Sequence, residues 1–282
     1  MINMKEISDK NELIELYQSE EIMERYEENR FHSFFGILSN LLEREIFANI
    51  LKNNINNNII LEVATGTGRI TRNIHVPYLG IAIDTSLGML KVAKSKSNSE
   101  NWHFVQANGF KLPLVDNSVN LIITFRFLRH LTNIERIQIL NEFNRVLTND
   151  GILIFDMLNP ERPLLGRVLE KVWIKFIFVY NLIVKRNIMT SKVYDDNENK
   201  NTVINELRKA GFSIEYTYNV GNYYSIEIIL DYLTLIPILS RLTRRIVNPL
   251  VYRFYKKEIS KLYEDESNPW EFIFHCRKGK NE

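Results

Sequence analysis

The stretch Ile59–Arg69, with the sequence IILEVATGTGR, joins a short apolar run to a turn that contains two glycines. The run Ile59–Ala64 predicts a β-strand because it is short, mostly apolar and bounded by turn residues. Gly66 and Gly68 predict a sharp turn that lets a ligand approach the backbone, and we expect a helix from Arg69 to offer free N–H groups. Glycine also serves ordinary turns, and the same geometry holds dinucleotides, so this stretch alone leaves its ligand open.

A second signal is Asp84, which ends the next predicted strand, Leu79–Asp84. It follows the glycine turn by about 20 residues, the spacing at which an acid accepts hydrogen bonds from ribose hydroxyls. A solvated aspartate at a strand end is the alternative for Asp84 alone, but together with the glycine turn it favours an adenosine-containing ligand. Thr71 stands where the dinucleotide fingerprint has a third small residue, which disfavours a dehydrogenase without excluding it.

Short apolar runs alternate with helical patterns along most of the chain. The predicted strands are Ile59–Ala64, Leu79–Asp84, His103–Gln106, Val119–Phe125, Gly151–Met157, Phe212–Tyr218 and Trp270–Cys276. The predicted helices among them are one from Arg69, Ser86–Ser95, Ile134–Leu147 and Thr202–Ala210. This alternation predicts an α/β fold with a doubly wound, seven-stranded, mostly parallel sheet and helices on both faces.

Helical segments precede and interrupt this domain. Apolar residues at helical spacing between Lys10 and Lys52 predict a helical leader or lid over residues 1–58, and the asparagine-rich run 53–58 is expected to end it as a loop. Residues 59–282 form the predicted ligand-binding domain, with helical cap insertions at about 160–190 and 223–266. The insertions combine apolar and basic faces, which suit burial within the protein or contact with an anionic membrane surface.

Several segments match one protein family together and in the right order. These are Leu61–Arg69, with an acid two residues before the small residue that opens the turn; Asp84–Leu90, with an acid, a serine and Met-Leu; Asn108–Asn120, with a Leu-Pro turn; and Arg145–Gly151, a turn before the fifth strand. From about Tyr26 to Arg277 the chain resembles the class I, Rossmann-like S-adenosylmethionine-dependent methyltransferases. Asn108 and Asn120 depart from the family pattern, which usually has aspartate at both positions.

The resemblance implies S-adenosyl-L-methionine as cofactor and S-adenosyl-L-homocysteine as product. It implies the following cofactor-binding residues: Tyr26, Arg30, Glu62, Ala64, Thr65, Gly66, Gly68, Asp84, Thr85, Met89, Asn108, Gly109, Phe110 and Phe125. Tyr26 and Arg30 would lie near the methionine carboxylate, which a guanidinium can bind in bidentate fashion. Asn108 bears on the adenine, because an asparagine accepts through its oxygen and also brings an amide donor.

The resemblance also implies transfer of a methyl group to an oxygen, nitrogen or carbon atom of a small-molecule acceptor. The acceptor is expected to be apolar if the cap insertions line its pocket. His130, after the fourth strand, is the candidate general base, and Arg126 or Arg129 is the candidate for holding an anionic acceptor. A structural role for His130 is the alternative, and Asp156 is expected only to cap a turn. No metal site is predicted. The alternative function is a cofactor-binding pseudoenzyme or regulatory interaction module.

The composition of the chain limits which classes of protein and partner are expected. The 282 residues are 45% hydrophobic and 25% charged, enough for a full core, and a net charge of +2 gives no strong field for nucleic acid, which we do not expect as a partner. The single cysteine, Cys276, excludes an intrachain disulfide, and the apolar run Val172–Val184 is shorter than the ~20 residues of a transmembrane helix. We expect a cytoplasmic monomer or homodimer whose membrane contact, if any, is peripheral.

Overall fold

The computed structural model describes residues 34–54, 59–159 except His75 and Pro77, 199–220, 269 and 271–279. The predicted leader before residue 34, with Tyr26 and Arg30, lies outside the described residues. So do the cap insertions predicted at about 160–190 and 223–266. The described residues contain the predicted glycine turn and all seven predicted strands except for Trp270.

A seven-stranded sheet forms the centre of the described structure. Its strands are β1 (Ile59–Val63), β2 (Leu79–Asp84), β3 (Trp102–Gln106), β4 (Val119–Thr124), β5 (Leu147–Leu158), β6 (Phe212–Val220) and β7 (Glu271–Lys278). The spatial order is β3-β2-β1-β4-β5-β7-β6. The first five strands pair in parallel, whereas β7 runs antiparallel to both β5 and β6. The predicted fold class is therefore confirmed.

Helices cover both faces of the sheet. They are α1 (Phe34–Asn54), α2 (Leu87–Lys96), α3 (Asn133–Val146) and α4 (Lys200–Lys209). Because side chains alternate along a strand, Ile60 packs with the apolar side of α1, while its neighbour Leu61 packs with α3 and α4 on the opposite face. This arrangement leaves the carboxyl ends of β1 to β4 together at one edge of the sheet.

The predicted helix at Arg69 is wrong. Residues 66–70 form turns, followed by one short 3-10 turn at Thr71–Asn73. The Asn73 Nδ2 group donates to the Arg69 carbonyl at 2.6 Å and so uses an oxygen that an α-helix would need. The predicted start of the loop at residue 53 is also wrong, because α1 continues to Asn54.

Candidate functional site

A cavity of about 320 Å³ opens at the carboxyl ends of the parallel strands. The predicted site residues that line it are Glu62, Ala64, Thr65, Gly66, Asp84, Thr85, Met89, Asn108, Gly109, Phe110, Phe125, Arg126 and His130. These residues come from the carboxyl ends of β1 and β2, from the segments after β1, β2, β3 and β4, and from the start of α2. The structure thus brings together residues that the sequence spreads over nearly seventy positions, within the volume range of small-molecule sites of about 300–1,000 Å³.

The turn after β1 exposes its backbone to this cavity. Ala64, Gly66 and Gly68 all have positive φ values, of 57°, 55° and 74°. A Cβ atom placed on Gly66 would meet no heavy atom within 4 Å, so the space above this residue is open to a ligand. The turn therefore leaves room for a ligand to lie close against its backbone.

Gly68 has a different role from Gly66. A Cβ atom at Gly68 would lie 2.8 Å from the Cβ of Ala93 and 2.9 Å from its Cα, in α2. Gly68 does not line the cavity, and the absence of a side chain there allows α2 to pack against the turn. Of the two glycines expected to face a ligand, the structure places only Gly66 along the cavity.

Asp84 fixes the geometry between the glycine turn and α2. Its Oδ2 accepts a hydrogen bond from the Gly66 N–H at 2.9 Å, and its Oδ1 accepts one from the Ser86 N–H at 2.8 Å. Burial raises the pKa of Asp84, and the backbone hydrogen bonds oppose that shift. Each carboxylate oxygen keeps a further lone pair, so the group suits a vicinal diol such as that of a ribose.

Glu62 lies deeper in the cavity wall, within a network of hydroxyl groups. The Thr71 hydroxyl donates to Glu62 Oε2, and the Thr65 and Thr71 hydroxyls are 2.9 Å apart. Burial raises the pKa of Glu62 to about 7, while the Thr71 and Thr65 hydrogen bonds and the charge of Arg69 act in the opposite direction. A bound cationic group would favour the carboxylate form.

Sequence reasoning missed Glu43, a residue of α1. Its side chain has 0% exposure, with Oε2 2.5 Å from Arg69 Nη1 and Oε1 3.4 Å from Arg126 Nη2. Both arginines line the cavity, one from the glycine turn and the other from the segment after β4. The available signal was an acid at helical spacing from the apolar Phe47 and therefore on the buried side of the helix.

The segment after β4 forms the other end of the cavity. Arg126 has a φ of 59°, and its N–H donates to Asp156 Oδ1 at 2.5 Å. Asp156 lies within β5 and bonds to this segment after β4, so the expectation that it only caps the turn after its own strand is wrong. Arg126, Phe127, His130 and Leu131 line the cavity. A guanidinium, an imidazole and apolar groups therefore line this end of the cavity.

Arg129, which we considered beside Arg126 for an anionic acceptor, does not line the cavity. Its side chain forms a buried ion cluster with Asp156 and with Glu271, whose Oε1 is 2.7 Å from Arg129 Nη2. This cluster joins the end of β4 to β5 and β7. The assignment of Arg129 to an anionic acceptor is therefore wrong, because the buried carboxylates already hold its guanidinium.

The segment after β3 closes the cavity on the side of α2. The Phe110 N–H donates to Asn108 Oδ1 at 3.0 Å, and the Lys111 N–H donates to the Asn108 carbonyl at 3.1 Å. Met89, which is buried, and Phe110, which is half-buried, supply apolar walls. These flat and apolar surfaces suit a purine ring.

Asn120, the second departure from the family pattern, lies at the opposite edge of the sheet. Its Oδ1 accepts a hydrogen bond from the Ile59 N–H at 2.9 Å, which joins the starts of β1 and β4. This contact is structural and does not touch the cavity. Of the two departures, only Asn108 lines the cavity.

The described residues contain no group of three or more histidine, cysteine, aspartate or glutamate side chains that could hold a metal ion. Within the same residues, no helix has both the length and the apolar content needed to cross a bilayer.

Comparisons with known proteins agree with this geometry. Residues 61–155 match the family model described as a methyltransferase domain. The chain is 30% identical over 191 residues to an uncharacterised protein of Methanocaldococcus jannaschii, a match that covers 64% of this chain and 70% of the relative. It is 32% identical over 130 residues to the ubiquinone/menaquinone biosynthesis C-methyltransferase UbiE of Ectopseudomonas mendocina, covering 43% of this chain and 50% of UbiE.

Solved structures show a likeness of fold as well. The magnesium protoporphyrin IX methyltransferase ChlM from Synechocystis PCC 6803, solved with bound SAH, aligns with a TM-score of 0.59 at 12% identity. The alignment covers 96% of this chain and all of ChlM. At this level of identity the likeness concerns the fold.

Proposed function

Because the chain belongs to the class I S-adenosylmethionine-dependent methyltransferases, we propose that it transfers the cofactor's methyl group to an oxygen, nitrogen or carbon atom of a small-molecule acceptor. One observation carries the proposal. A single cavity runs from the glycine turn and Asp84 to Arg126 and His130, so that one space adjoins the residues proposed for the cofactor and those proposed for the acceptor.

The residues present fit the cofactor. The open space over Gly66 would receive its central part, Asp84 would accept hydrogen bonds from its ribose hydroxyls, and Glu62 would interact with its amino group. The remaining cavity residues proposed for the cofactor are Ala64, Thr65, Thr85, Met89, Asn108, Gly109, Phe110 and Phe125. Tyr26 and Arg30, outside the described residues, are proposed for its carboxylate by resemblance. When bound, S-adenosylmethionine supplies an electrophilic methyl group on a sulfonium.

The protein's own contribution is to orient the acceptor and exclude water. Phe127 and Leu131 supply apolar contacts, Arg126 binds an anionic or polar part of the acceptor, and the His130 imidazole takes a proton from an acceptor that keeps one. UbiE, by its name, serves quinone biosynthesis, and ChlM acts on a porphyrin. These relatives support an apolar, ring-containing acceptor.

Calorimetric titration with S-adenosylmethionine and S-adenosylhomocysteine tests the cofactor part of the proposal. We expect wild type to bind both and Asp84→Ala to bind much more weakly, because the variant loses the ribose acceptor and the Gly66 contact. Asp150→Ala is the matched control, since Asp150 is exposed near the start of β5, away from the cavity. Absence of binding by wild type would overturn the proposal.

An acceptor screen tests the transfer itself. Release of S-adenosylhomocysteine is measured with phenols, quinols, porphyrins and carboxylic acids, in wild type and in His130→Ala. Turnover with one of these classes supports the enzyme. Cofactor binding with no turnover by any class would instead favour the regulatory module that holds the cofactor without using it.

The location and further contacts of the protein belong to the same proposal. We place it in the cytoplasm, where its buried free thiol, Cys276, stays reduced. Peripheral membrane contact through the basic insertions is tested by flotation with vesicles that contain anionic lipids. Absence of the protein from the floating fraction would exclude that contact.

A further inference from the structure

The geometry points to Asn108 as a specificity-determining residue whose side-chain amide donates a hydrogen bond to the cofactor's base. In consequence, we expect the base subsite to accept a 6-oxo purine about as well as the 6-amino purine adenine. The inference rests on the proposed function, because it concerns the same cofactor site.

The position of Asn108 follows from the order of the strands. Asp84 ends β2 and pairs in register with Gln106 of the adjacent edge strand β3, and the Ala107 N–H donates to the Asp84 carbonyl at 3.1 Å. Asn108 therefore lies one step farther along the cavity wall from the glycine turn than Asp84 does. If Asp84 holds the ribose, the base that is attached to that ribose reaches the end of β3.

The hydrogen bond from Phe110 settles which way the Asn108 amide points. A backbone N–H is only a donor, so the side-chain atom that lies 3.0 Å from the Phe110 nitrogen must be the amide oxygen. The Nδ2 group, with its two donors, is then at the other corner of the amide. Among the described residues no acceptor takes a hydrogen bond from Nδ2, and the residue is exposed in the cavity wall. Its remaining hydrogen-bonding capacity toward a base is mainly that of a donor.

The polarity of the side chain decides which base edge fits. An aspartate in the same rotamer keeps one oxygen on the Phe110 N–H and presents its second oxygen, which accepts from the 6-amino group of adenine. Asparagine presents Nδ2–H instead, which can donate to a ring nitrogen of adenine or to the oxygen of a 6-oxo purine, so it favours neither base. The Met89 and Phe110 side chains contact either purine equally, because they are apolar. The side chain at position 108 therefore decides whether the site distinguishes a 6-amino from a 6-oxo purine.

Calorimetry with S-adenosylhomocysteine and its 6-deaminated analogue, S-inosylhomocysteine, tests this inference. For wild type we expect affinities that are similar for the two ligands. For Asn108→Asp we expect their ratio to move by about ten-fold or more in favour of the amino compound, because the aspartate oxygen accepts from the 6-amino group and leaves a 6-oxo group without a donor. Asn141→Asp, an exposed position on α3, controls for the added negative charge.

The outcomes separate this inference from the proposed function. Strong rejection of the 6-oxo analogue by wild type, together with tight binding of S-adenosylhomocysteine, would overturn the inference and leave the methyltransferase proposal intact. An unchanged ligand ratio in Asn108→Asp would also overturn it. Failure of wild type to bind S-adenosylhomocysteine would overturn both. A thermal unfolding scan of each variant confirms that the compared proteins are folded.

Discussion

Glu43 and Arg69 form a buried ion pair in which 2.5 Å separates Oε2 from Nη1. The pair joins α1, which precedes the sheet in the chain, to the glycine turn that follows β1. Through its other oxygen, Glu43 also reaches Arg126 after β4. A helix whose sequence indicates only an amphipathic packing surface thus supports two separate parts of the cavity wall.

Replacement of Glu43 by glutamine is expected to lower both stability and cofactor affinity. Removal of one partner from a buried ion pair costs about 3–5 kcal/mol, because a desolvated charge loses its compensation. We expect the free energy of unfolding, measured in urea, to fall by about 3 kcal/mol. Because Arg69 and Arg126 then rearrange at the cavity wall, the affinity for S-adenosylhomocysteine should fall as well.

Glu206→Gln is the matched control for this prediction. Glu206 forms a buried, bidentate pair with Arg136 that joins α3 to α4, with 2.9 Å between Arg136 Nε and Glu206 Oε2. The Glu206→Gln substitution should lower the free energy of unfolding to a similar degree while leaving the affinity for S-adenosylhomocysteine unchanged. Equal affinities in wild type and Glu43→Gln would show that Glu43 only stabilises the fold.

The sheet was predictable because each strand carries its own local signal, whereas the ion pairs of the site were not. Ile59–Val63 and Leu79–Asp84 are short apolar runs beside turn residues, and this pattern exists before any tertiary contact forms. Contacts such as Glu43–Arg69 arise only when α1 docks on the sheet. The sequence shows that Glu43 is on an apolar side but not which cation meets it.

The glycine turn also contains features that the sequence predicts and features that it does not. Its strand and its proximity to Asp84 were predictable from residue types and spacing, but the helix expected at Arg69 was not found. There, the side chains of Thr71 and Asn73 bind Glu62 and the Arg69 carbonyl, and these local bonds compete with helical ones. Such competition depends on side-chain geometry that periodicity does not contain.

Stability should depend on pH through Glu62. Its pKa is raised from the usual value of 4.5 to about 7 in the folded protein, so the folded state holds a proton more tightly than the unfolded state. The resulting stabilisation is full below pH 4.5 and is lost as the pH rises through 7, a total of about 3 kcal/mol. Urea unfolding of wild type and Glu62→Gln between pH 5 and 8 measures it.

The comparison of the two proteins isolates Glu62 from other titrating groups. Burial also raises the pKa of Asp84 and lowers that of His275, but both contributions are present in wild type and in the variant. We expect Glu62→Gln to gain stability relative to wild type as the pH increases from 5 to 8. Parallel pH dependences in the two proteins would contradict the assignment.

Gly66→Ala and Gly68→Ala should separate ligand binding from folding. Both residues have positive φ, which costs an alanine about 1–2 kcal/mol relative to glycine. At Gly68 the new Cβ also overlaps Ala93 of α2, so we expect a loss of stability of about 2 kcal/mol or more. At Gly66 the Cβ meets no protein atom and projects into the space proposed for the cofactor.

Gly66→Ala should therefore lose little stability beyond the backbone strain, while its affinity for S-adenosylhomocysteine falls by about ten-fold or more, a loss of about 1.4 kcal/mol. Urea unfolding and calorimetry of both variants give the two quantities on the same samples. Ala64→Gly, at a φ of 57°, is the reverse control, because relief of strain at the same turn should leave stability unchanged or slightly higher. If Gly66→Ala bound S-adenosylhomocysteine as tightly as wild type, the cofactor would not lie against this turn, and the open space above Gly66 would need another occupant.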